Sequence, residues 1–226
     1  MGDSSSKFQG GRRAALLAAA ATTYWFLVRR WHLRWGATGD EATRYLPGDA
    51  IIPEPATDAT HAVTVDAPPA DVWPWLVQMG QDRGGFYSYE ALENLVGADI
   101  HNVDRVVPEW QEREVGDTVR LAPPDYPVDN PDSRPTVAVV EPERALVLRS
   151  PVDPPNYTWA FVLEPTDSAT RLVVRFRTRE QESLGSTLAE YLFWEPAHFV
   201  MERKMLLGIK ERVESSDWRT GDAGVS

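Results

Sequence analysis

The sequence predicts an α+β domain in which a curved antiparallel sheet wraps around a long C-terminal helix. Two observations carry this prediction. Between residues 136 and 179 the chain holds four short segments with the composition of β-strands. From residue 196 to about residue 214, apolar residues recur at the spacing of a helix. A sheet that grips this last helix would bury its apolar face and leave room for a cavity between the two.

The domain is expected to begin with one strand and two short helices. Residues 61–67 (HAVTVDA) alternate with a period of two, and the two prolines that follow end the strand. Residues 70–79 have apolar side chains at helical spacing. Residues 87–96 (YSYEALENLV) predict the second helix, which Gly97 ends.

The loop between these two helices combines turn, charge and aromatic residues. Residues 79–89 (MGQDRGGFYSY) contain three glycines, which permit backbone angles that other residues avoid. Asp82 and Arg83 add polar groups, and the aromatic residues add a stacking surface. None of these side chains is a nucleophile with a paired base, so the loop predicts the mouth of a pocket rather than a catalytic centre.

The remaining strands are predicted at residues 136–141, 145–150, 157–164 and 170–179. Gly116 and Asp117 predict a turn into one further strand. In the last strand four arginines alternate with apolar residues, and we expect them to form a solvated face: Arg171, Arg175, Arg177 and Arg179.

The C-terminal helix is expected to begin at Pro196, because proline is favoured at the first helical position. A rotation of 100° per residue places five side chains on one stripe: His198, Glu202, Met205, Ile209 and Val213.

Composition narrows the classes of partner. The chain has 34 acidic and 23 basic residues, a net charge of -11, which argues against nucleic acid as the partner. Cysteine is absent, so disulfides and thiol chemistry are excluded.

We expect residues 36–60, rich in Gly, Pro, Asp and Thr, to form a linker or a wrapping arm. The domain then covers residues 61–214, and residues 215–226 are expected to form a flexible tail.

Residues 1–35 carry six basic residues and one acidic residue, and the uncharged segment 14–28 lies among them. These 15 residues would span roughly 22 Å as a helix, less than the ~30 Å hydrocarbon core. Flanking arginines and aromatic residues extend that reach. We therefore predict association with a membrane through this single N-terminal helix, on a side that the charges do not define, and an otherwise cytoplasmic protein. An export signal, or a helix lying on the membrane or on the domain, is the alternative.

Three segments carry a resemblance to a known family. The early segment HAVTVDAPPADVWPWLVQMGQDRGGFYSYEALENLVG, the middle segment DRVVPEWQ and the late segment HFVMERKMLLGIK cover roughly residues 60–214. Together they resemble the SRPBCC superfamily of helix-grip proteins, which includes START-like lipid-transfer domains and polyketide cyclases, and one bacterial and archaeal branch in particular. The resemblance implies a helix-grip fold with a hydrophobic pocket between the sheet and the C-terminal helix. It names no ligand and no catalytic residue.

The candidate site is centred on His198 and Glu202, which lie four residues apart on the apolar stripe. Such a pair would face the cavity, where it would orient a ligand head group or act as acid and base. The alternative is a structural pair in which Glu202 anchors His198. A buried Glu202 requires a cationic or hydrogen-bonding partner, and Arg105 and Arg149 are the candidates.

The remaining candidate ligand-binding residues are Tyr87, Trp110, Trp159 and Met205, which would line an aromatic pocket. For each aromatic residue, ordinary core packing is the alternative. A metal site built from His198 and Glu202 with His101 and Asp104 is disfavoured, because the spacing matches no metal motif. We expect neither a metal nor a cofactor, and the chain has no P-loop and no nucleophile elbow.

These observations favour the binding or transport of a hydrophobic small molecule, such as a lipid, an isoprenoid or a polyketide-like compound. The first alternative is an enzyme of the cyclase, dehydratase or isomerase type that acts on such a molecule. The second is an interaction domain without a ligand, in which the cavity would be filled.

Overall fold

The computed structural model of the protein describes residue 19 and residues 22–124, 126, 131–180 and 183–215. Five strands form an antiparallel sheet in the order β1-β5-β4-β3-β2. The strands are β1 (Thr57–Val65), β2 (Thr136–Glu141), β3 (Ala145–Arg149), β4 (Tyr157–Pro165) and β5 (Thr170–Thr178).

The helices lie on one face of this sheet and at its edge. They are α1 (Tyr24–Val28, a π-helical turn, continued by Arg29–His32), α2 (Pro69–Val77), α3 (Glu90–Leu95), α4 (Leu184–Ala189) and α5 (Glu195–Glu214). A π-helical turn, Glu190–Trp194, joins α4 to α5, so that the C-terminal helix is longer than predicted. Short 3₁₀ turns lie at Asp49–Ile51, Pro108–Trp110 and Pro131–Ser133.

The sheet and α5 confirm the predicted fold class. Met205, Ile209 and Val213 are buried on the face of α5 that the stripe predicted. They share a core with inward-facing sheet residues such as Phe161 and Leu172. The sheet thus grips α5 in a helix-grip arrangement.

The predicted strand after Gly116 does not form. Residues 117–121 run beside residues 133–137 and exchange backbone hydrogen bonds with them, for example from Val119 N to Pro135 O at 2.8 Å. Only an isolated bridge results, between Thr118 and Thr136. Pro135 has no N–H to return, so the ladder is interrupted there.

The arginine face of β5 is not solvated, and this prediction is wrong. Residues 36–56 cross the outer face of the sheet, where Leu46 packs in a second apolar cluster with Ala62 and Val173. Arg175 is only 1% exposed. Its guanidinium donates to Asp49 Oδ2 at 2.7 Å, and Arg171 pairs with Glu41 at 2.6 Å. Glu41 and Asp49 of this crossing segment thus neutralise Arg171 and Arg175 and keep these two arginines from solvent.

The predicted membrane association is also wrong. Among the described residues, no helix is long and apolar enough to cross a membrane. Residues 14–18, 20 and 21 of the predicted anchor lie outside the described part of the chain. From residue 22 onward, α1 packs against the C-terminal helix: Tyr24 Oη donates to Tyr191 O at 2.7 Å, and Arg29 pairs with Glu195 at 2.7 Å. Arg29, predicted to flank a membrane span, instead forms a half-buried ion pair within the protein.

Candidate functional site

A cavity of about 290 Å³ lies between the sheet and α5. Its sheet wall consists of Tyr157 and Trp159 on β4 and Phe176 on β5. Trp159 and Phe176 are direct cross-strand partners, and their rings meet edge to face with centroids 6.3 Å apart. Because side chains alternate along a strand, both rings face α5 while Ala160 and Arg175 face outward. The period of the strands therefore places the aromatic wall on the cavity side.

The wall opposite the sheet comes from the segment that holds α3. Phe86 and Ser88 precede this helix, Glu93 and Val96 lie on it or just after it, and Ala98 follows. Phe86 stacks on Trp159 with ring centroids 6.2 Å apart, so the loop and the sheet enclose one end of the cavity. Phe86 and Ser88 of the glycine-rich loop thus line this cavity.

The floor of the cavity is the face of α5 that carries His198, Met201, Glu202 and Met205. The His198 ring stacks on Phe176 with centroids 4.1 Å apart, which fixes the plane of the imidazole. His198 Nε2 lies 2.5 Å from Glu202 Oε2. The side chain of His198 is 28% exposed, whereas that of Glu202 is 1% exposed. Both side chains line the cavity, and the histidine is the more exposed of the two.

Glu202 has a second histidine neighbour. His61 on β1 places its Nδ1 3.4 Å from Glu202 Oε1, and both side chains are buried. The other ring nitrogen of His61, Nε2, lies 2.7 Å from the carbonyl oxygen of His32. A carboxylate on the gripped helix is therefore held between one histidine from the sheet and one from its own helix.

The two histidines set the ionisation of Glu202. Burial by itself raises the pKa of Glu202, but the charges and hydrogen bonds of His198 and His61 outweigh it and lower the pKa to about 2. Burial by itself lowers the pKa of His61, and the Glu202 carboxylate outweighs this and raises the pKa above its ordinary value. Glu202 is therefore ionised in the core, and His61 retains its proton more readily than a free histidine.

A second buried carboxylate lies at the start of α5. Glu195 accepts hydrogen bonds from Arg29 Nε at 3.0 Å and Nη2 at 2.7 Å, and its Oε1 lies 2.8 Å from His32 Nε2. Burial by itself raises the pKa of Glu195, and His32 and Arg29 lower it below its ordinary value. This cluster touches the first one through the His32 carbonyl and anchors α1 to the site.

Of the six predicted ligand-binding residues, the structure places four in the cavity wall: Trp159, His198, Glu202 and Met205. Tyr87 is not one of them. Its backbone has a φ of 58°, which turns it away from its neighbour Phe86, and its hydroxyl donates to Trp75 O at 3.1 Å in the core. Trp110 lies in the 3₁₀ turn outside the cavity, where its carbonyl accepts a hydrogen bond from Arg83.

The predicted partners of Glu202 were wrong. Arg105 is exposed and Arg149 lies at the end of β3, and neither contacts the carboxylate. The residue that does, His61, was missed, although the alternation of β1 offered a signal. The alternation of side chains along β1 places His61 on the same face as the buried Val63 and Val65.

Among the described residues, no group of three histidine or acidic side chains is arranged to hold a metal ion. His101 instead lies near Asp99 and Glu90, at 3.2 and 3.5 Å, and Asp104 pairs with Arg212 at 2.8 Å. The four side chains of the disfavoured metal site are therefore not brought together.

No protein-family model matches this chain, and no curated protein matches it significantly. Solved structures do. A polyketide-cyclase-like protein of Corynebacterium glutamicum is 16% identical over 73% of this chain and 96% of its own, with a TM-score of 0.42. A protein of Bacillus halodurans is 14% identical over 71% and 99%, with a TM-score of 0.43. A Staphylococcus saprophyticus protein is 16% identical over 70% and 92%, with a TM-score of 0.40.

Similarity at this level concerns the fold alone. The helix-grip arrangement itself is established by the sheet order and by α5. Function has to be argued from the cavity.

Proposed function

We propose that this protein binds an apolar small molecule in the cavity between its sheet and α5. The observation that carries the proposal is the cavity itself. Its volume of about 290 Å³ is close to the lower end of the roughly 300–1,000 Å³ found for small-molecule sites. Protein cores are otherwise packed with few voids larger than a water molecule. An open space of this size next to a closed core is typical of a binding site.

The composition of the wall supports the same proposal. Aromatic and aliphatic side chains such as Phe86, Trp159 and Met205 form most of it, and His198 supplies a polar group from the floor. Small-molecule sites combine a predominantly apolar lining with a few placed polar groups that orient the ligand. The open cavity weighs against the alternative of an interaction domain with a filled core.

The test uses the fluorescent probe N-phenyl-1-naphthylamine, whose emission rises in apolar surroundings. We expect saturable binding of one probe per full-length chain. Ala98→Leu would fill part of the cavity, so this variant should bind the probe at least ~10-fold more weakly. Ala91→Leu makes the same substitution at an exposed position of α3 and serves as the matched control. Equal binding by both variants would place the probe outside the cavity and overturn the proposal.

A second candidate function rests on the contact between His198 and Glu202. In this arrangement the carboxylate orients an imidazole whose ring borders the cavity. A positioned histidine is the commonest general acid or base, and this favours an enzyme of the cyclase, dehydratase or isomerase type as the alternative.

A carrier and an enzyme differ in whether the molecule they release is chemically unchanged. The full-length protein is incubated with a lipid extract, and the molecules it retains are compared by mass and chromatographic retention before and after incubation. A carrier returns them unchanged. An enzyme returns altered molecules, and the His198→Ala and Glu202→Ala variants should then lose that conversion while they remain folded. Conversion that persists in both variants would remove these residues from an acid–base role.

A further inference from the structure

Apart from His198, the charged side chains in the cavity wall are all acidic. Among the described residues, the acidic side chains that line it are Glu93, Asp132 and Glu202, and no lysine or arginine lines it. Arg212, on the helix that forms the floor, donates to Val103 O at 2.9 Å and pairs with Asp104. An anionic group in the cavity would therefore find carboxylates, no lysine or arginine, and a histidine that is already paired with Glu202.

Glu93 offers an acceptor that the protein itself does not use. Its Oε1 accepts a hydrogen bond from Ser88 Oγ. Its Oε2 is buried and, within the described part of the chain, has no hydrogen-bond partner. Burial raises the pKa of the Glu93 carboxyl, and the neighbouring Glu90 adds to this. A buried acceptor without a partner is costly, so a ligand that donates a hydrogen bond here would be favoured.

The floor of the cavity offers a second acceptor. The Nε2 atom of His198 is committed to Glu202. When Nε2 carries the proton of the neutral ring, Nδ1 is an acceptor, and among the described residues it has no hydrogen-bond partner. Because the side chain of His198 is more exposed than that of Glu202, a ligand on this floor meets the imidazole first.

We propose that the cavity selects neutral or cationic apolar molecules that carry a hydroxyl or amine group, and that it rejects anionic ones such as free fatty acids. This inference rests on the proposed function and adds the chemical class of the ligand. Removing a carboxylate from water into this cavity costs free energy that only a fixed cation or several donors would offset. Repulsion from Glu93 and Asp132 adds to that cost, so the selectivity is achieved by an unfavourable contact with the wrong ligand.

The test compares three competitors with the same alkyl chain: dodecanol, dodecylamine and dodecanoate. Each is titrated, below its micelle concentration, into full-length protein saturated with N-phenyl-1-naphthylamine at pH 7.5. We expect the alcohol and the amine to displace the probe at concentrations at least ~10-fold lower than dodecanoate requires. Displacement by dodecanoate as effective as by dodecanol would overturn the inference while the proposed function stands. Failure of the probe itself to bind would overturn both.

Two matched variants test whether Glu93 causes the preference for dodecanol over dodecanoate. Glu93→Gln removes one negative charge from the wall and should narrow the preference for dodecanol over dodecanoate by several-fold. Glu211→Gln makes the same change at an exposed position of α5, outside the cavity wall, and should leave the preference as it is. Equal preferences in Glu93→Gln, Glu211→Gln and the unchanged protein would contradict the role of Glu93. The competition in the unchanged protein tests the ligand class independently of either variant.

Discussion

His61 Nδ1 faces Glu202 Oε1 across 3.4 Å at the buried contact between β1 and α5. The Nε2 atom of His61 already lies 2.7 Å from a carbonyl oxygen and must donate to it. If the ring were neutral, Nδ1 would then be an acceptor that faces another acceptor. A proton on Nδ1 removes this conflict, so the contact is an ion pair between a protonated His61 and an ionised Glu202. The pair joins the sheet to the helix that the sheet grips.

This pair predicts that Glu202→Gln lowers the free energy of unfolding by about 3–5 kcal/mol at pH 6, because it leaves buried histidines without their counter-charge. Glu211→Gln, at an exposed position on the same helix, should change it by less than about 0.5 kcal/mol. Urea unfolding of both variants measures the difference. A loss below about 0.5 kcal/mol for Glu202→Gln would contradict the ion pair.

The same pair has a defined dependence on pH. The lowered pKa of Glu202 means that its contribution is present above the ordinary value of 4.5 and is lost as the pH falls towards 2. The raised pKa of His61 means that its contribution is complete below the ordinary value of 6.5 and is lost as the pH rises through the raised pKa. The stability difference between the unchanged protein and Glu202→Gln should therefore be largest between about pH 4.5 and 6.5. A difference that does not vary from pH 3 to pH 9 would argue against the pair.

The buried stripe of α5 makes a separate prediction. Ile209 is 0% exposed, so Ile209→Ala should cost about 2–5 kcal/mol in unfolding free energy through lost packing and a new cavity. Val200 lies on the same helix but is 46% exposed, and Val200→Ala should cost less than about 0.5 kcal/mol. Equal losses at the two positions, measured by chemical denaturation, would mean that the face of the helix is misassigned.

The covered face of β5 predicts that Arg175 is a structural residue. Arg175 donates to Asp49, to Thr60 and to two backbone carbonyls. Arg175→Ala should destabilise the protein by about 3–5 kcal/mol because it breaks a buried ion pair and removes the donor from several buried acceptors. The control is Arg144→Ala, which removes an exposed arginine paired with Glu141 and should cost less than about 1 kcal/mol. Thermal unfolding that ranks the two variants equally would contradict the burial of Arg175.

A close approach between α5 and the glycine-rich loop gives the last of these predictions. A Cβ at Gly208 would lie 2.3 Å from the carbonyl oxygen of Tyr87. Gly208→Ala should therefore destabilise the protein by about 1–3 kcal/mol, although alanine is favoured over glycine in a helix interior by about 1 kcal/mol. Gly185→Ala, on α4 with no atom nearer than 3.9 Å, should instead be neutral or stabilising. A stabilising Gly208→Ala would show that the loop does not rest on this helix.

The elements that the sequence predicted well are those with a strong internal period. The stripe from Glu202 to Val213 follows the helical repeat, and β4 and β5 follow the strand repeat, so each buried face could be assigned without knowledge of its partner. The arginine face of β5 could not be assigned in this way. Its burial depends on Glu41 and Asp49, which lie in a segment without periodicity and reach the sheet only in the folded chain.

The same distinction applies to the candidate site: a contact within one helix could be predicted, and a contact between distant segments could not. The pair of His198 and Glu202 was predicted from its spacing within one helix. The third member, His61, lies 141 residues earlier than Glu202 in the chain, and only the pairing of β1 with β5 brings it under α5. For Tyr87 the local conformation decided the outcome. Its positive φ of 58° was indicated by no pattern in the loop, and its hydroxyl donates within the core instead of lining the cavity.

Native mass spectrometry shows whether the cavity holds an apolar ligand. The full-length protein, Ala98→Leu and Ala91→Leu are each exposed to a lipid extract, separated from free lipid and weighed under native conditions. We expect one retained molecule per chain in the unchanged protein and in Ala91→Leu, and no retained molecule in Ala98→Leu. A ligand-free mass in all three, or a retained molecule that Ala98→Leu does not displace, would contradict ligand binding in the cavity.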